Sequence, residues 1–306
     1  MSGNNDIRYL THDQVDKSKW DHCIHTAANG LIYATSFYLD HMATHWDALV
    51  LNDYEAVMPL TWNRKYGIKY LFQPFLTAQL GVFGNQLTST LTGAFIKAIP
   101  TSFRYIDISL NSGNHLPPKT GRTILRKNYL LDLSKPYEEL TTGYNENTRR
   151  NVKKAAQARC RIEKGFEVER VIQLAIQQMR SYGRESKENT DRFSKLYHSL
   201  SVNRMAVTYG VIRENELLAS CVFFFSHNRA YYILVGNHPN GKSTGASHAL
   251  IDAFIKDHAG ETIVLDFEGS DIPSLASFYG GFGAEPETYP ALKINRLPFY
   301  LKWLKS

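Results

Sequence analysis

Cysteine is scarce in this 306-residue chain: three residues, Cys23, Cys160 and Cys221, odd in number and far apart. That argues against a disulfide framework and for reduced thiols. Long apolar runs are missing as well, and no stretch approaches the roughly 18 residues of a membrane span. Met1-Ser-Gly-Asn-Asn-Asp6 has neither the basic start nor the apolar core of a secretory signal, so the chain reads as cytoplasmic. The strict nucleotide motifs, a Walker loop and Gly-x-Gly-x-x-Gly, are absent. Eleven histidines are scattered singly. His22-Cys23-x-His25 lacks a second ligand group, so no metal set is legible. No Ser/His/Asp or Cys/His constellation stands at a useful spacing for nucleophilic catalysis.

What is present is the composition of a globular protein, 43% hydrophobic and 12% aromatic, long enough for one large core or two of ordinary size. The net charge of +6 and a pI near 9.0 favour anionic partners: a nucleotide cofactor, a nucleotide-linked cell-wall precursor, tRNA or a membrane face. Charge alone does not choose among them.

The second half is organised around Tyr231 to Tyr289. Tyr231 to Val235 is a compact apolar run of strand length, bounded by Gly236 and a turn-rich loop, Asn237 to Thr244. Ala246, Ala249, Leu250, Ala253 and Phe254 then mark one face of an amphipathic helix that Gly260 stops. Ile263 to Phe267 reads as a second strand, and Pro273 to Tyr279 as a short helix. The result is a βαβ-type unit whose loop ends on a helix N-terminus, a place suited to an anion. Lys242, Ser243, Thr244, Gly245 and Ala246 occupy that turn. Gly, Ser and Thr also serve simply to turn a chain, and both readings stand.

These residues carry a family resemblance. Lys242-Ser-Thr-Gly245-Ala246-Ser247 resembles the Arg/Gln-x-x-Gly-x-Gly/Ala loop of the GNAT N-acyltransferase fold, with Lys in place of Arg or Gln and Ser247 in place of the last small residue. Ala276-Ser-Phe-Tyr279-Gly-Gly-Phe282-Gly283 resembles the segment that follows strand five in that family, shortened by one residue. The wider pattern, from about residue 145 to 296, is similar to the FemABX-like branch, in which two GNAT lobes are joined in tandem. The resemblance implies acyl-CoA as co-substrate, held by Val235, Gly236, Gly241, Lys242, Ser243, Thr244, Gly245 and Ala246, with Tyr279 as general acid. For the FemABX-like branch it implies instead an aminoacyl-tRNA donor and a peptidoglycan precursor as acceptor.

The first half supports a tandem plan. After an opening strand and two helices come β-rich runs, Ala48 to Leu51, Ala56 to Trp62, Tyr70 to Phe75 and Ala78 to Phe83, then a helix from about Leu87 to Ile99 and a strand, Tyr105 to Leu110. Ala94-Phe-Ile-Lys97 recurs as Ala253-Phe-Ile-Lys256, and an aspartate, Asp107 or Asp266, lies thirteen residues after the start of each. The expected fold is therefore α+β: two GNAT-like lobes, each a mixed, mainly antiparallel sheet flanked by helices. Residues 1–133 would form an acceptor-side lobe whose loop at Gly84 lacks the donor pattern, and 134–306 the donor lobe. A strand at Asn128 to Leu133, a helical pair from Val168 to Leu200, a strand at Ala291 to Ile294 and a final helix, Leu297 to Leu304, complete the reading.

Between the lobes, Asn147 or Thr148 can cap a helix on which Arg149 and Lys153, and Arg150 and Lys154, form two i, i+4 rows. Such a strip seats a diphosphate or nucleic-acid backbone, or is merely a solvated face. Arg149, Arg150 and Lys153 are the acceptor- or anion-binding candidates. Tyr279 is the candidate proton donor to a leaving group, or else a core aromatic beside Phe278 and Phe282. Asp266 and Glu268, two apart in a strand and so on one face, are the candidate bases; Glu268 and Asp271 also suit a helix cap. His238 and His248 lie near the donor loop. The expected activity is transfer of an acyl group from acyl-CoA to a primary amine, on a small molecule or peptide. Aminoacyl transfer from tRNA, or a silent GNAT-like binding module, are the alternatives.

Overall fold

The computed structural model describes residues 6–179, 186–269 and 271–298. Two compact units emerge, Met1–Arg126 with Thr288–Ser306, and Lys127–Glu287. In chain order the elements are β1 (Ile7–Leu10), α1 (Lys17–Thr26), α2 (Ser36–Met42), β2 (His45–Leu51), β3 (Ala56–Lys65), β4 (Ile68–Phe72), β5 (Phe83–Gly84), α3 (Ser89–Ala98) and β6 (Phe103–Ser109). There follow β7 (Arg122–Asp132), α4 (Tyr137–Leu140), α5 (Glu146–Gln157), β8 (Arg161–Lys164), α6 (Val168–Met179), α7 (Lys187–Val202), β9 (Ala206–Arg213), β10 (Glu216–Ser226) and β11 (Arg229–Asn237). The chain ends through α8 (Pro239–Thr244), α9 (Ala246–His258), β12 (Val264–Asp266), α10 (Pro273–Gly280) and β13 (Glu285–Asn295).

Each unit holds a mixed, mainly antiparallel sheet, as the sequence predicts. In the first the strand order is β1-β2-β3-β4-β6-β13, with β4 and β6 parallel. In the second it is β8-β9-β10-β11-β12-β7, with β11 and β12 parallel. The two orders correspond strand for strand. The sequence echo falls at equivalent places: Ala94 to Lys97 on α3, which joins β4 to β6, and Ala253 to Lys256 on α9, which joins β11 to β12. Asp107 and Asp266 each sit on the second strand of the parallel pair.

The boundaries differ from the sequence expectation of 1–133 and 134–306. β13 pairs antiparallel with β6 (Ala291 opposite Ser109), so the last strand closes the first unit. β7, which follows β6 in the chain, pairs with β12 and fills the matching place in the second unit. Local residue patterns specify a strand but not which sheet receives it. Two further differences are local: Asn237 to Thr244 is largely helical, as α8, and only Phe83 of the expected Ala78-to-Phe83 strand lies in a strand, β5. The expected helix at Leu297 to Leu304 lies almost wholly outside the described residues; the polar connector expected at Gly183 to Thr190 is described only from Ser186, where it caps and begins α7.

Alternation along β10 shows how the second sheet is covered. Successive strand side chains point to opposite faces. Phe223 stacks on Phe254 of α9 at 3.6 Å, while Phe224 stacks on Phe193 of α7 at 5.6 Å. All four rings are fully buried, each worth roughly 1.5–3 kcal/mol of transfer free energy. α9 buries Ala246, Leu250 and Phe254 of the expected face together with Ile251 and Ile255, while Ala249 and Ala253 are half-buried, so the buried face is turned slightly from the one the periodicity marks. α6 crowds β11 from its own side. A Cβ on Gly236 would lie 2.7 Å from the Ala175 backbone nitrogen, so the strand must be bare there.

Candidate functional site

The parallel strands of the second unit separate at their C-terminal ends. β12 pairs with β11 only along Arg229 to Tyr231, and β11 runs on to Asn237 without it. Opposite β10 the register passes from Val235–Cys221 to Ile233–Val222, leaving Leu234 as an extra residue with φ +46°. A bulge of this kind bends and twists its strand. Beyond the separation lie α8, the N-terminus of α9, and the segment from Asp266 to α10.

Tyr279, in the last turn of α10, faces this region. Its ring stacks on Phe267 at 4.5 Å and meets Tyr129 at 6.1 Å, Tyr232 at 6.4 Å and Phe278 at 5.6 Å. The side chain is buried, yet no hydrogen bond joins its hydroxyl to any described residue. Burial first, and the Glu268 carboxylate second, push the phenol above its ordinary range and keep it protonated. The ring packs as the core aromatic beside Phe278 that the sequence offered as one alternative, and its hydroxyl is engaged by no described residue.

Asp266 is differently placed. It is 2% exposed; Oδ1 accepts from Asn128 Nδ2 at 2.9 Å and from the Glu268 N–H at 2.8 Å, and Oδ2 accepts from Arg229 Nη1 at 2.8 Å. A carboxylate so saturated ties β7, β11 and the end of β12 together and has little left with which to take a proton. Glu268 does not share its face by simple alternation. β12 ends at Asp266, and Glu268 has φ +60°, a left-handed conformation held by that hydrogen bond to Asp266. Arg229 and Asn128, which complete this cluster, carry no local sequence signal; they become partners only through strand pairing.

The residues of the expected donor loop gather on α8 and at the start of α9. Val235 and Gly236 lie just before the end of the preceding strand, β11. The Ser243 hydroxyl donates to the Asn240 carbonyl at 2.9 Å and that of Thr244 to the Gly241 carbonyl at 3.0 Å, both within the turn, while Lys242 is exposed. Gly245 has φ +77°, and a Cβ there would collide with the Asn151 carbonyl of α5; one on Gly241 would collide with the Leu218 carbonyl of β10. Both glycines are thus required by packing within this unit. Ala246, fully buried, begins α9. Within its first turn, His248 packs edge-on to Phe278 at 4.7 Å, with its Nε2 buried and without a hydrogen-bond partner among the described residues. Burial lowers its pKa to about 4.

The basic strip on α5 is divided. α5 is capped by Asn145, whose side chain accepts from the Thr148 N–H, so the cap lies just before the residues expected. Arg149 donates to the carbonyls of Thr142 at 2.9 Å and Thr141 at 3.3 Å, and Arg150 to Asn147 Oδ1 at 2.9 Å. Lys153 has no such partner among the described residues and, with Arg149, lines a pocket of about 400 Å³ that also includes Tyr137, Tyr144 and Asp252. Among the described residues no group of three or more His, Cys, Asp or Glu side chains is arranged to hold a metal. No helix among them is long and apolar enough to cross a membrane.

Residues 144–273 match the family model of the acetyltransferase (GNAT) domain. Among solved structures, the chain is similar to FemX at a TM-score of 0.65 and 11% identity, covering 97% of this chain and 99% of that one. It is also similar to the C-terminal domain of a putative lysylphosphatidylglycerol synthetase from Agrobacterium fabrum (TM-score 0.55, 11% identity, 94% of each chain). A third likeness is to a tandem GNAT protein from the clavulanic acid biosynthesis pathway, at TM-score 0.53 and 10% identity over 96% of this chain and 99% of that one. No curated protein matches it in sequence. Residues 144–273 thus match the GNAT domain model, and the chain as a whole has the fold of FemX and of that tandem GNAT protein.

Proposed function

We propose that the second unit transfers an acyl group directly from an activated donor to a primary amine. The observation that carries this reading is Tyr279: a buried phenol, held protonated, its hydroxyl engaged by no described residue, beside the separation of β11 and β12. In the reaction the amine nitrogen attacks the donor carbonyl carbon, the C–N bond forms and the bond to the leaving sulfur or oxygen breaks. The ammonium proton passes to water or a nearby carboxylate, of which Glu268 is the candidate. Tyr279 gives its proton to the departing thiolate or alkoxide and recovers one from solvent. Positioning in a closed site, with one proton donor, is enough for such a step.

Acyl-CoA is the first donor to test, with the start of α9, Lys242 and the backbone from Val235 to Ala246 as its seat. A second reading, aminoacyl-tRNA as donor, has a specific observation in its favour: the two glycines expected to admit a diphosphate are filled against by Asn151 and Leu218 of the protein itself. The exposed cations of α5 suit a nucleic-acid backbone. In that case the acceptor would be a cell-wall peptide amine.

Single-turnover assays separate these readings. Acetyl-CoA and longer acyl-CoAs are offered with a panel of primary amines while free thiol is followed; charged tRNA is offered in parallel while its deacylation in the presence of amine is followed. Thiol release that depends on both amine and Tyr279 supports the first reading. Deacylation of tRNA alone supports the second. No transfer from either donor overturns the assignment of acyl transfer.

A further inference from the structure

We propose that the pocket bounded by α4, α5 and α9 binds a free α-amino acid, with Asp252 receiving the ammonium group and Lys153 and Arg149 the carboxylate. Asp252 lies on α9 beside the fully buried Ile251 and one turn before the buried Ile255. Its Oδ1 accepts from the phenols of Tyr137 at 2.8 Å and Tyr144 at 3.0 Å. These two bonds fix the carboxylate, and both phenols are pushed upward by burial and by its charge, so both remain donors. Oδ2 accepts no hydrogen bond from any described residue and is not sealed from solvent. Lys256, one turn along α9, lies over the Tyr137 ring at 5.7 Å and makes no ion pair with Asp252.

Lys153 and Arg149 stand one helical turn apart on α5 and line the same pocket. Arg149 is held in place through Nη2 by the Thr141 and Thr142 carbonyls, which leaves the rest of its guanidinium available. Lys153 has no ion pair with any described carboxylate. Unlike charges thus share a pocket of about 400 Å³ without touching, although pairing them would lower the energy of both.

The charge pattern selects the ligand class. A simple anion would meet Asp252 at close range, and a simple amine would meet two cations; each arrangement is repulsive. A molecule with an ammonium and a carboxylate on one carbon satisfies both ends, and the volume leaves room for its side chain. Tyr144 turns its ring on Phe282 at 5.3 Å, and Phe282 in turn meets Phe278, the neighbour of Tyr279. Tyr279, Phe278 and Phe282 do not line this pocket, so its occupancy can be measured apart from acyl transfer.

The test is calorimetric titration of the full chain with glycine, alanine, leucine and phenylalanine. For each, the carboxylic acid lacking the amine and the amide lacking the carboxylate serve as controls. Saturable binding of at least one amino acid is expected, with neither of its controls competing. Lys153→Met, on an exposed position, and Asp252→Asn each weaken it about tenfold or more, the usual effect of losing a charge-assisted contact. Since Asp252→Asn also disturbs two phenols, Lys153→Met is the decisive variant. Binding of the carboxylic acid as tightly as the amino acid, binding unchanged in Lys153→Met, or no heat with any amino acid up to tens of millimolar overturns the proposal. None of these outcomes bears on whether Tyr279 supports transfer.

Discussion

Tyr279 and Phe267 stack with ring centroids 4.5 Å apart and planes 23° from parallel, which fixes the phenol by its ring and leaves the hydroxyl unengaged by any described residue. Orientation and chemistry are therefore separable. Tyr279→Phe keeps the stack and removes the proton donor. We expect kcat to fall about 10²-fold or more with KM little changed, because general acid catalysis contributes roughly 10² to 10⁴. Thermal unfolding should be nearly unaltered, since no hydrogen bond to a described residue is lost. Because burial and Glu268 hold the phenol above its ordinary range, activity should persist past about pH 10 with no alkaline loss from this group. An alkaline limb near that pH that vanishes in the variant would contradict the raised phenol.

Much of the second unit was legible because its signals are local. The 3.6-residue spacing of Ala246 to Phe254 predicted α9, and the repeated Ala-Phe-Ile-Lys located the same crossover in both units. What escaped depends on contacts between distant segments. Nothing near Gly245 announces that the Asn151 carbonyl will fill the space beside it. Strand period says nothing of the exchange that gives β7 to one sheet and β13 to the other. Asp266 and Glu268 look alike on a strand, and only the pairing with Arg229 and Asn128 shows that the Asp266 carboxylate is saturated with hydrogen bonds.

That distinction predicts opposite behaviour for Arg229 and Glu268. Arg229→Met leaves a buried Asp266 charge without its cation and should cost about 3 kcal/mol in urea unfolding. Glu268→Gln keeps the backbone N–H that bonds Asp266 and the size of a half-buried side chain, so it should cost less stability and, if Glu268 takes the amine proton, should lower kcat. Equal stability losses in the two variants would remove the reason for setting Asp266 aside as a base.

Gly245 offers a test of packing against ligand binding. Gly245→Ala places a Cβ on the Asn151 carbonyl and strains a residue at φ +77°. Without any ligand it should destabilise the protein by about 1–3 kcal/mol, the range for a strained backbone position. Lys242→Ala, on an exposed side chain of α8, should leave unfolding unchanged and weaken only a diphosphate-containing donor. The thermal shift given by acyl-CoA should therefore be compared between wild type and Lys242→Ala, not Gly245→Ala. An equal shift in both would remove Lys242 from the donor site.

His248 predicts an acid dependence of stability with a definite window. Its imidazole is buried against Phe278 and titrates at about 4 in the folded protein, against about 6.5 in the unfolded chain. Between those values the unfolded state binds a proton that the folded state does not. Stability from this group is complete above about pH 6.5 and declines as pH falls toward about 4, where the folded imidazole also protonates and the slope ends. His248→Leu removes the titration and one buried nitrogen that has no partner. The difference in unfolding free energy between wild type and variant should thus change steadily from pH 7 to pH 4 in the direction of a relatively more stable variant. Parallel pH profiles for the two proteins would show that His248 is solvated in the folded state and is not the neutral, enclosed ring its contacts with Phe278 and Phe282 imply.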